Sequence, residues 1–586
     1  MISSTPTLKL LRFGTFELDP RSGELRKGGT KLRLRGQPIQ VLTVLLTRAG
    51  QLVTRDELRA EVWRSDTFVD FDHSLHNAIA RLREALGDSV ESPQYIETLP
   101  RLGYRFVEKV DAVETGMPAP AAESSSARIQ SVAVLPLEDH SSDREYEYFA
   151  EGMTEALITS LAKIKALRVI SRTSAMQYKG ARKPLPQIAR ELNVDAVIEG
   201  SVLRSGDRVR IAAQLIHAAS DQHIWAESYE RDFRDVLALQ SEIARQVANE
   251  VRIALSPAEE QSLRSTRRIN PESHELYLKG RFFWNKRTEE SVRKALVHFQ
   301  NALAADPTYA QVYAGIADCH NILGYYNVQP PADAYLKAKA AALKAIELDP
   351  SLGEPHAALA VVKRDFDWDW RGAESEFQRA IELSPGYVES HHWRSTLLAI
   401  QGDCDTALRE KKRVLAMDPL SVVIQTDVAR MLYFARKYDD AIAQYLAALD
   451  MDPNFASAHI WLARAYLQKQ MFSESIAALE SGCRLTQGSP YALAELGHAC
   501  ALAGDFKKAR AVLEELLSVS SAKYVSPYDV ALVYVGMGQK TDAMAQLHKA
   551  LEHRAVWLGY LKVEPQWDPL RAEPAFFDLL KRVGLD

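Results

Sequence analysis

The sequence predicts a multidomain protein in three parts: an N-terminal α+β domain, a central α/β domain and a C-terminal all-α repeat. Residues 8–110 mix short alternating apolar segments with amphipathic ones. Residues 128–255 alternate strand-like and helix-like runs, and helical segments recur over residues 272–586. Residues 111–127 are rich in Pro, Ala, Ser and Glu, which predicts a flexible linker between the first two parts.

Composition places the chain among ordinary globular proteins, with 47% hydrophobic and 25% charged residues. The net charge is −5, yet residues 8–110 hold 17 Lys and Arg against 14 Asp and Glu. A mildly basic segment on an acidic chain is compatible with nucleic-acid binding but is weak evidence for it. The start of the chain lacks the apolar core of a signal peptide, and no run of 18 apolar residues occurs. We therefore expect a cytoplasmic protein with no membrane partner.

The N-terminal part reads as three short strands joined by glycine turns, then three helices, then two strands around a Pro–Arg–Leu–Gly turn. The second helix follows Thr54, with Glu57 three residues on, the spacing of a capping box. The third helix, over 73–88, carries one apolar face with four members: Leu75, Ile79, Leu82 and Leu86.

Three motifs carry a family resemblance: VTRDEL…VW at 53–63, SL-x-x-x-I-x-RLR-x-AL at 74–86 and GYRF at 103–106. Residues 8–110 resemble the OmpR/PhoB-type winged helix domain of bacterial response regulators, above all its ToxR- and CadC-like variants. The resemblance implies a four-stranded N-terminal sheet, a three-helix core, a hairpin wing and DNA binding. No receiver domain and no membrane helix are expected, so phosphorylation is not the expected input.

The third helix is the predicted recognition helix, because its apolar face leaves polar residues on the opposite side. Asn and Arg make bidentate contacts to adenine and guanine edges in the major groove. The resemblance implies DNA contacts for six residues: His73, Ser74, Asn77 and Arg81 in the helix, Trp63 at a phosphate and Arg101 in the wing. Arg83, toward the polar side of the same helix, is a seventh candidate for DNA binding. Surface ion pairing for Arg83, plain surface positions for the histidines and core packing for Trp63 remain open alternatives.

Two departures from the family pattern weaken parts of this prediction. Ala80 stands where family members often carry arginine, which predicts a weaker grip on phosphate. Pro100 stands where the wing arginine would fall, so Arg101 is displaced by one residue.

The central part predicts a βαβαβββα order and a mixed sheet. It resembles the TolB N-terminal-like domain, on VAVLPL, FAEGMTEALITSLAKI, DAVIEGSV-x-R and W-x-E-x-Y-x-R, and the resemblance implies a binding role rather than a reaction. Catalytic and nucleotide-binding motifs do not occur, and the four cysteines show no metal-ligand spacing. Glu151, Asp195 and Glu199 could line a cleft, but a structural role is favoured. We expect no catalysis, no cofactor and no metal.

The C-terminal part is periodic: prolines at 385, 419 and 453 follow one another at 34 residues, and upstream of them small and large apolar residues alternate at fixed offsets. This resembles the tetratricopeptide repeat, with about eight units between 276 and 557 and an insertion near NVQPPADA. The last residues depart from the repeat and are expected to cap its exposed apolar face.

These predictions combine into a one-component, sequence-specific transcriptional regulator that binds double-stranded DNA, as a homodimer on tandem half-sites. The resemblance implies a loop over 64–72 that contacts RNA polymerase. The superhelix is expected to bind an unidentified protein or peptide. The alternative is a repeat scaffold whose winged helix contacts protein rather than DNA.

Overall fold

The computed structural model describes residues 10–19, 24–27, 30–31, 37–62, 71–89, 93–99, 102–113, 129–140, 147–263, 270–520 and 523–586. The chain divides into two compact units, with the boundary at residue 126. No helix within these ranges is both long enough and apolar enough to cross a bilayer.

The first unit is a winged helix-turn-helix domain, as predicted. Its described elements are β1 (Leu10–Phe13), β2 (Phe16–Asp19), β3 (Glu24–Lys27), β4 (Thr30–Lys31), α1 (Gln37–Thr47), β5 (Leu52–Thr54), α2 (Arg55–Val62), α3 (Phe71–Leu86), β6 (Ile96–Leu99), β7 (Gly103–Phe106) and β8 (Asp111–Val113). One sheet has the order β4-β3-β2-β1-β8 and the other β5-β7-β6. The predicted capping box forms, since Thr54 N donates to Glu57 and Glu57 N donates to Thr54 Oγ1.

Two details of this unit differ from the prediction. The N-terminal sheet has five described strands rather than four, because residues 111–113, assigned to the linker, pair antiparallel with β1 and cover its edge. The wing also gains β5, which pairs with β7. Gly103 permits that pairing, since a Cβ there would lie 2.1 Å from the Val53 carbonyl oxygen.

The central region contains the predicted mixed sheet, with β9, β11 and β12 parallel and β13 and β14 antiparallel. The strand order is β11-β9-β12-β13-β14, and β10 pairs with β12. The elements are β9 (Ser131–Val134), β10 (Glu138–Asp139), α4 (Glu147–Leu161), β11 (Arg168–Val169), α5 (Arg172–Met176), α6 (Leu185–Leu192), β12 (Ala196–Ser205), β13 (Arg208–His217), β14 (Gln222–Asp232), α7 (Val236–Glu250) and α8 (Pro257–Leu263).

The repeat region consists of eight helix pairs in its described residues, matching the predicted number. They are α9 (Pro271–Trp284), α10 (Glu289–Ala305), α11 (Ala310–Tyr325), α12 (Pro331–Leu348), α13 (Glu354–Val362), α14 (Trp370–Leu383), α15 (Val388–Ile400), α16 (Cys404–Met417), α17 (Val422–Phe434), α18 (Tyr438–Met451), α19 (Ala456–Gln468), α20 (Phe472–Leu485), α21 (Pro490–Leu502), α22 (Phe506–Val519), α23 (Pro527–Gly536) and α24 (Lys540–Glu552). Small residues lie where helices cross: a Cβ on Gly280 or Gly315 would fall within 2.7 Å of the Phe299 ring.

The central region and the repeats form one unit with a continuous apolar core. Arg281 of α9 donates to Glu155 of α4, and the backbone N–H of Gly386, before α15, donates to the Ala162 carbonyl at 2.7 Å. Ser174 donates to the buried Asp418. The mixed sheet domain therefore contacts both the first and the fourth repeat.

The C-terminal segment, residues 553–586, contains 3-10 turns at Val556–Tyr560 and Pro565–Leu570 and the helix α25 (Pro574–Val583). Helix α25 packs on α24, as expected of a cap. The segment also lines the inside of the superhelix, a placement that the sequence analysis did not predict: Trp557 stacks on Tyr491, and Trp567 donates to Tyr528. The inner side of the later repeats is therefore occupied by the chain itself.

Candidate nucleic-acid interface

Helix α3 is anchored by one apolar face. Leu75 and Leu82 are fully buried, Ile79 and Leu86 are nearly so, and the helix packs against α1. The predicted inner face is confirmed. At about 25 cal/mol per Å² of buried apolar surface, each of these side chains contributes about 1.5–3 kcal/mol, which fixes the rotation of α3 about its axis.

The opposite side of α3 carries the predicted base-reading positions. Arg81 is exposed. His73, Ser74 and Asn77 lie within α3, but their side chains are outside the described part of the structure. Because 73, 77 and 81 are spaced by four residues, these positions share one helix face.

Arg83 joins α3 to the wing. Its Nη2 donates to the Ile96 carbonyl and to Thr98 Oγ1, both at 2.8 Å, and both acceptors belong to β6. The side chain is half-buried. These hydrogen bonds make Arg83 a structural link between α3 and β6. A contact between Arg83 and DNA stays a prediction.

The wing is the hairpin of β6 and β7, whose turn is closed by a hydrogen bond from the Leu102 N–H to the Leu99 carbonyl at 3.1 Å. Leu102 is exposed at its tip. Three of the predicted features, Trp63, Arg101 and most of the loop over 64–72, lie outside the described residues, as does Pro100.

Arg48 fixes α2 against α1, a contact that the sequence did not predict. Its guanidinium pairs with Glu57 at 3.1 Å and with Glu61. The Thr54 backbone N–H and hydroxyl donate to Glu57 and lower the pKa of that carboxyl. Glu57 therefore stays charged at neutral pH and holds both the cap and the Arg48 contact.

The three acidic residues of the mixed sheet domain have structural partners. Glu151 pairs with Arg172 and with Lys179 at 2.8 Å. Asp195 accepts from the backbone of residues 130 and 131, and Glu199 accepts from Gln214. Within the ranges described, no group of three or more His, Cys, Asp or Glu residues could hold a metal ion.

Comparison with protein families assigns the same three regions. Residues 29–106 match "Transcriptional regulatory protein, C terminal", and residues 127–246 match "HilA/YgeH-like transcriptional regulator, second domain". Residues 428–490 match the tetratricopeptide repeat.

Three proteins illustrate the similarity of this chain to bacterial proteins. A putative adenylate cyclase 3 of Rhizobium meliloti is 35% identical over 251 residues, 42% of each chain. The transcriptional regulator HilA of Salmonella typhimurium is 23% identical over 72% of this chain and 73% of its own. The cholera toxin transcriptional activator of Vibrio cholerae is 36% identical over 19% of this chain and 38% of its own. The chain therefore spans less than half of the first and last of these relatives.

These matches confirm the prediction of a DNA-binding transcriptional regulator. The chain carries an OmpR/PhoB-type DNA-binding domain, a HilA-like regulator domain and a tetratricopeptide repeat region.

Proposed function

We propose that this chain is a one-component regulator that reads a specific duplex sequence with the outer face of α3. One observation carries the proposal: α3 buries a complete apolar face in its own domain while Arg81 is exposed on another face. The major groove of B-DNA admits one α-helix, which contacts the base edges with its exposed face. Its site of action is the cytoplasm, where bacterial DNA is accessible.

Direct readout falls to Asn77 and Arg81 in this proposal, with His73 and Ser74 at base or phosphate positions. Trp63 contacts a phosphate, and Arg101 enters the neighbouring minor groove. Arg83 acts mainly as a positioning residue, because its donors hold the wing strand β6 at a fixed place beside α3. Phosphate contacts fix the register, whereas base contacts carry the sequence information.

Dimeric binding and contact with RNA polymerase extend the proposal. Two copies on tandem half-sites gain affinity because the second contact becomes intramolecular. The loop over 64–72 would face RNA polymerase when the domain is seated on DNA.

We also propose that the protein regulates without catalysis. The acidic residues that could have formed an active site, Glu151, Asp195 and Glu199, are bound to structural partners. The repeats serve protein interaction through surfaces that the C-terminal segment leaves free.

Capture and sequencing of genomic fragments by the full chain tests this proposal, followed by titration of a captured duplex at several salt concentrations. The affinity should fall steeply with salt, since each phosphate contact releases a counterion. Asn77→Ala and Arg81→Ala should each weaken binding of the captured duplex by about five- to 150-fold, the equivalent of about 1–3 kcal/mol per bidentate contact.

Arg12→Ala is the matched control, because Arg12 is an exposed arginine of the same domain, on β1 and paired with Glu17. It should leave the affinity near that of the unmodified chain. Two results would favour the scaffold alternative and contradict the proposal. One is duplex binding that does not depend on salt; the other is that the folded Asn77→Ala and Arg81→Ala variants bind the duplex as tightly as the unmodified chain.

A further inference from the structure

A cavity opens on the inner side of the first four repeats, between α9, α11, α13 and α15. The cavity is open to solvent on one side, and its empty space, open mouth included, is about 420 Å³. Its lining combines aromatic, charged and amide side chains, among them Trp284, Arg287, Asp318, Asn321 and Glu389.

The C-terminal segment bounds this cavity. The Trp557 ring lies 5.6 Å from Tyr325, and Tyr325 lies 5.2 Å from Trp393, both of which line the cavity. Beyond this aromatic group, the inner side of the repeats is filled by residues 553–586. The cavity therefore lies at the start of the superhelix and is closed on the side of the later repeats by the C-terminal segment.

One of the two carboxylates that line the cavity, Asp318, has only a distant positive partner. Glu389 pairs with Arg287 at 2.6 Å across the mouth. Asp318 approaches Arg281 only at 3.4 Å, and that guanidinium is held more closely by Glu155. Burial raises the pKa of Asp318 to about 7, and the neighbouring Glu389 and Glu354 act in the same direction against Arg281 and Arg287.

Two buried polar atoms of the lining have no partner among the described residues. Asn321, 6% exposed, donates its Nδ2 to the Ala358 carbonyl at 3.0 Å, but its Oδ1 accepts no hydrogen bond there. The Trp284 Nε1, in a side chain that is 4% exposed, likewise donates none. Unpaired buried polar atoms cost free energy that a bound ligand can recover.

We propose that this cavity binds a small ammonium-bearing molecule, of the amine or amino-acid class, against Asp318 and Asn321. An ammonium group supplies the three donors and the positive charge that these acceptors lack. Only the role of this ligand as a regulatory signal rests on the proposed function. Binding of the ligand to the cavity does not involve DNA.

A chain of ion pairs connects the cavity to the mixed sheet domain. Arg281 contacts Asp318 on one side and Glu155 of α4 on the other, and Glu155 also faces Arg172 at 3.4 Å. A cation placed against Asp318 competes with Arg281 for that carboxylate. Ligand binding therefore changes the balance of charge at the joint between the first repeat and the sheet domain.

The test uses the full chain and three probes of similar size: propylamine, alanine and propionate. Thermal unfolding and calorimetric titration at millimolar probe should show binding of propylamine, alanine or both, and none of propionate. Binding of alanine without binding of propylamine identifies an amino-acid site, in which the ligand carboxylate accepts a hydrogen bond from the Trp284 N–H. Asp318→Asn should weaken binding about tenfold or more, since it removes a charge-assisted hydrogen bond.

Asp439→Asn, at an 80% exposed side chain of the same superhelix, is the matched control and should bind as the unmodified chain does. Ala358→Leu narrows the cavity and provides a second loss-of-binding variant if Asp318→Asn unfolds. No response to either ammonium probe, equal binding of propionate, or undiminished binding by Asp318→Asn overturns the inference. Duplex affinity is titrated on the same preparation as a separate test of the proposed function. Loss of duplex binding would contradict the proposed function and would leave the ligand proposal unaffected.

Discussion

Arg464 holds the C-terminal segment inside the superhelix, and its removal gives the sharpest stability prediction. The side chain is 1% exposed and lies between two carboxylates that are also buried. Its Nη1 donates to Glu564 of the C-terminal segment at 2.9 Å, and its Nη2 donates to Glu495 of α21 and to Tyr491. Arg464→Met keeps the length and the apolar stem but leaves both carboxylates without their cation.

The expected loss is about 3–5 kcal/mol of the free energy of unfolding, the usual effect of removing one partner from a buried ion pair. Burial already raises the pKa of Glu564 above 4.5, and loss of Arg464 raises it further. In the variant the folded state then binds more protons than the unfolded state at neutral pH. Its stability must therefore fall as pH rises, and the deficit relative to the unmodified chain must shrink as pH falls toward 4.5.

Thermal unfolding of the full chain, followed by tryptophan fluorescence across this pH range, measures the effect. Trp461 reports directly, because the Arg464 guanidinium lies 4.0 Å from the ring centroid. Arg379→Met is the control: this arginine is half exposed and pairs with Glu382 within one helix, so its loss should be small at every pH. Equal stability of Arg464→Met and the unmodified chain, or a deficit that does not change with pH, would refute the reasoning.

Three further predictions concern single side chains. Leu82→Ala, at a fully buried position of α3, should lower the free energy of unfolding of the N-terminal domain by about 2–5 kcal/mol, as measured by denaturant titration; an unchanged midpoint would contradict the packing of α3. Arg83→Ala should weaken binding to every duplex by a similar factor without changing base preference, and an altered preference in competition binding would instead make it a base reader. Burial raises the pKa of Asp529 to about 8, so its contribution to stability is present at low pH and is lost as pH rises through 8. Asp529→Asn should flatten that decline in melting temperature, whereas an unchanged pH profile would show that Asp529 ionises freely.

Local patterns were sufficient to predict the helices and strands. The spacing of three and four residues between apolar side chains from Leu75 to Leu86 predicted the buried face of α3, and the Thr54–Glu57 pair predicted the start of α2. Both signals act between residues one helical turn apart. The 34-residue period predicted the eight helix pairs, since every repeat buries the same small residues against its neighbour.

Contacts between distant residues were not predictable in the same way. The pairing of residues 111–113 with β1, the placement of Trp557 against Tyr491 and the donation from Arg83 to β6 join segments without a shared sequence period. The cavity beside Asp318 depends on four repeats and on the C-terminal segment together, so no single motif indicates it. The feature that marks the cavity, the partly buried carboxylate of Asp318 with a distant partner, can be recognised only once the helices are in place.

The most direct test of the account is the base preference of Asn77→Ala, measured by competition between a captured duplex and its single-base variants. If the outward face of α3 reads bases, the unmodified chain should prefer the correct base at one position by about 1–3 kcal/mol of binding free energy, and Asn77→Ala should lose this preference. The affinity of the variant for unrelated DNA should be nearly unchanged. A folded variant that ranks every competitor as the unmodified chain does would contradict it.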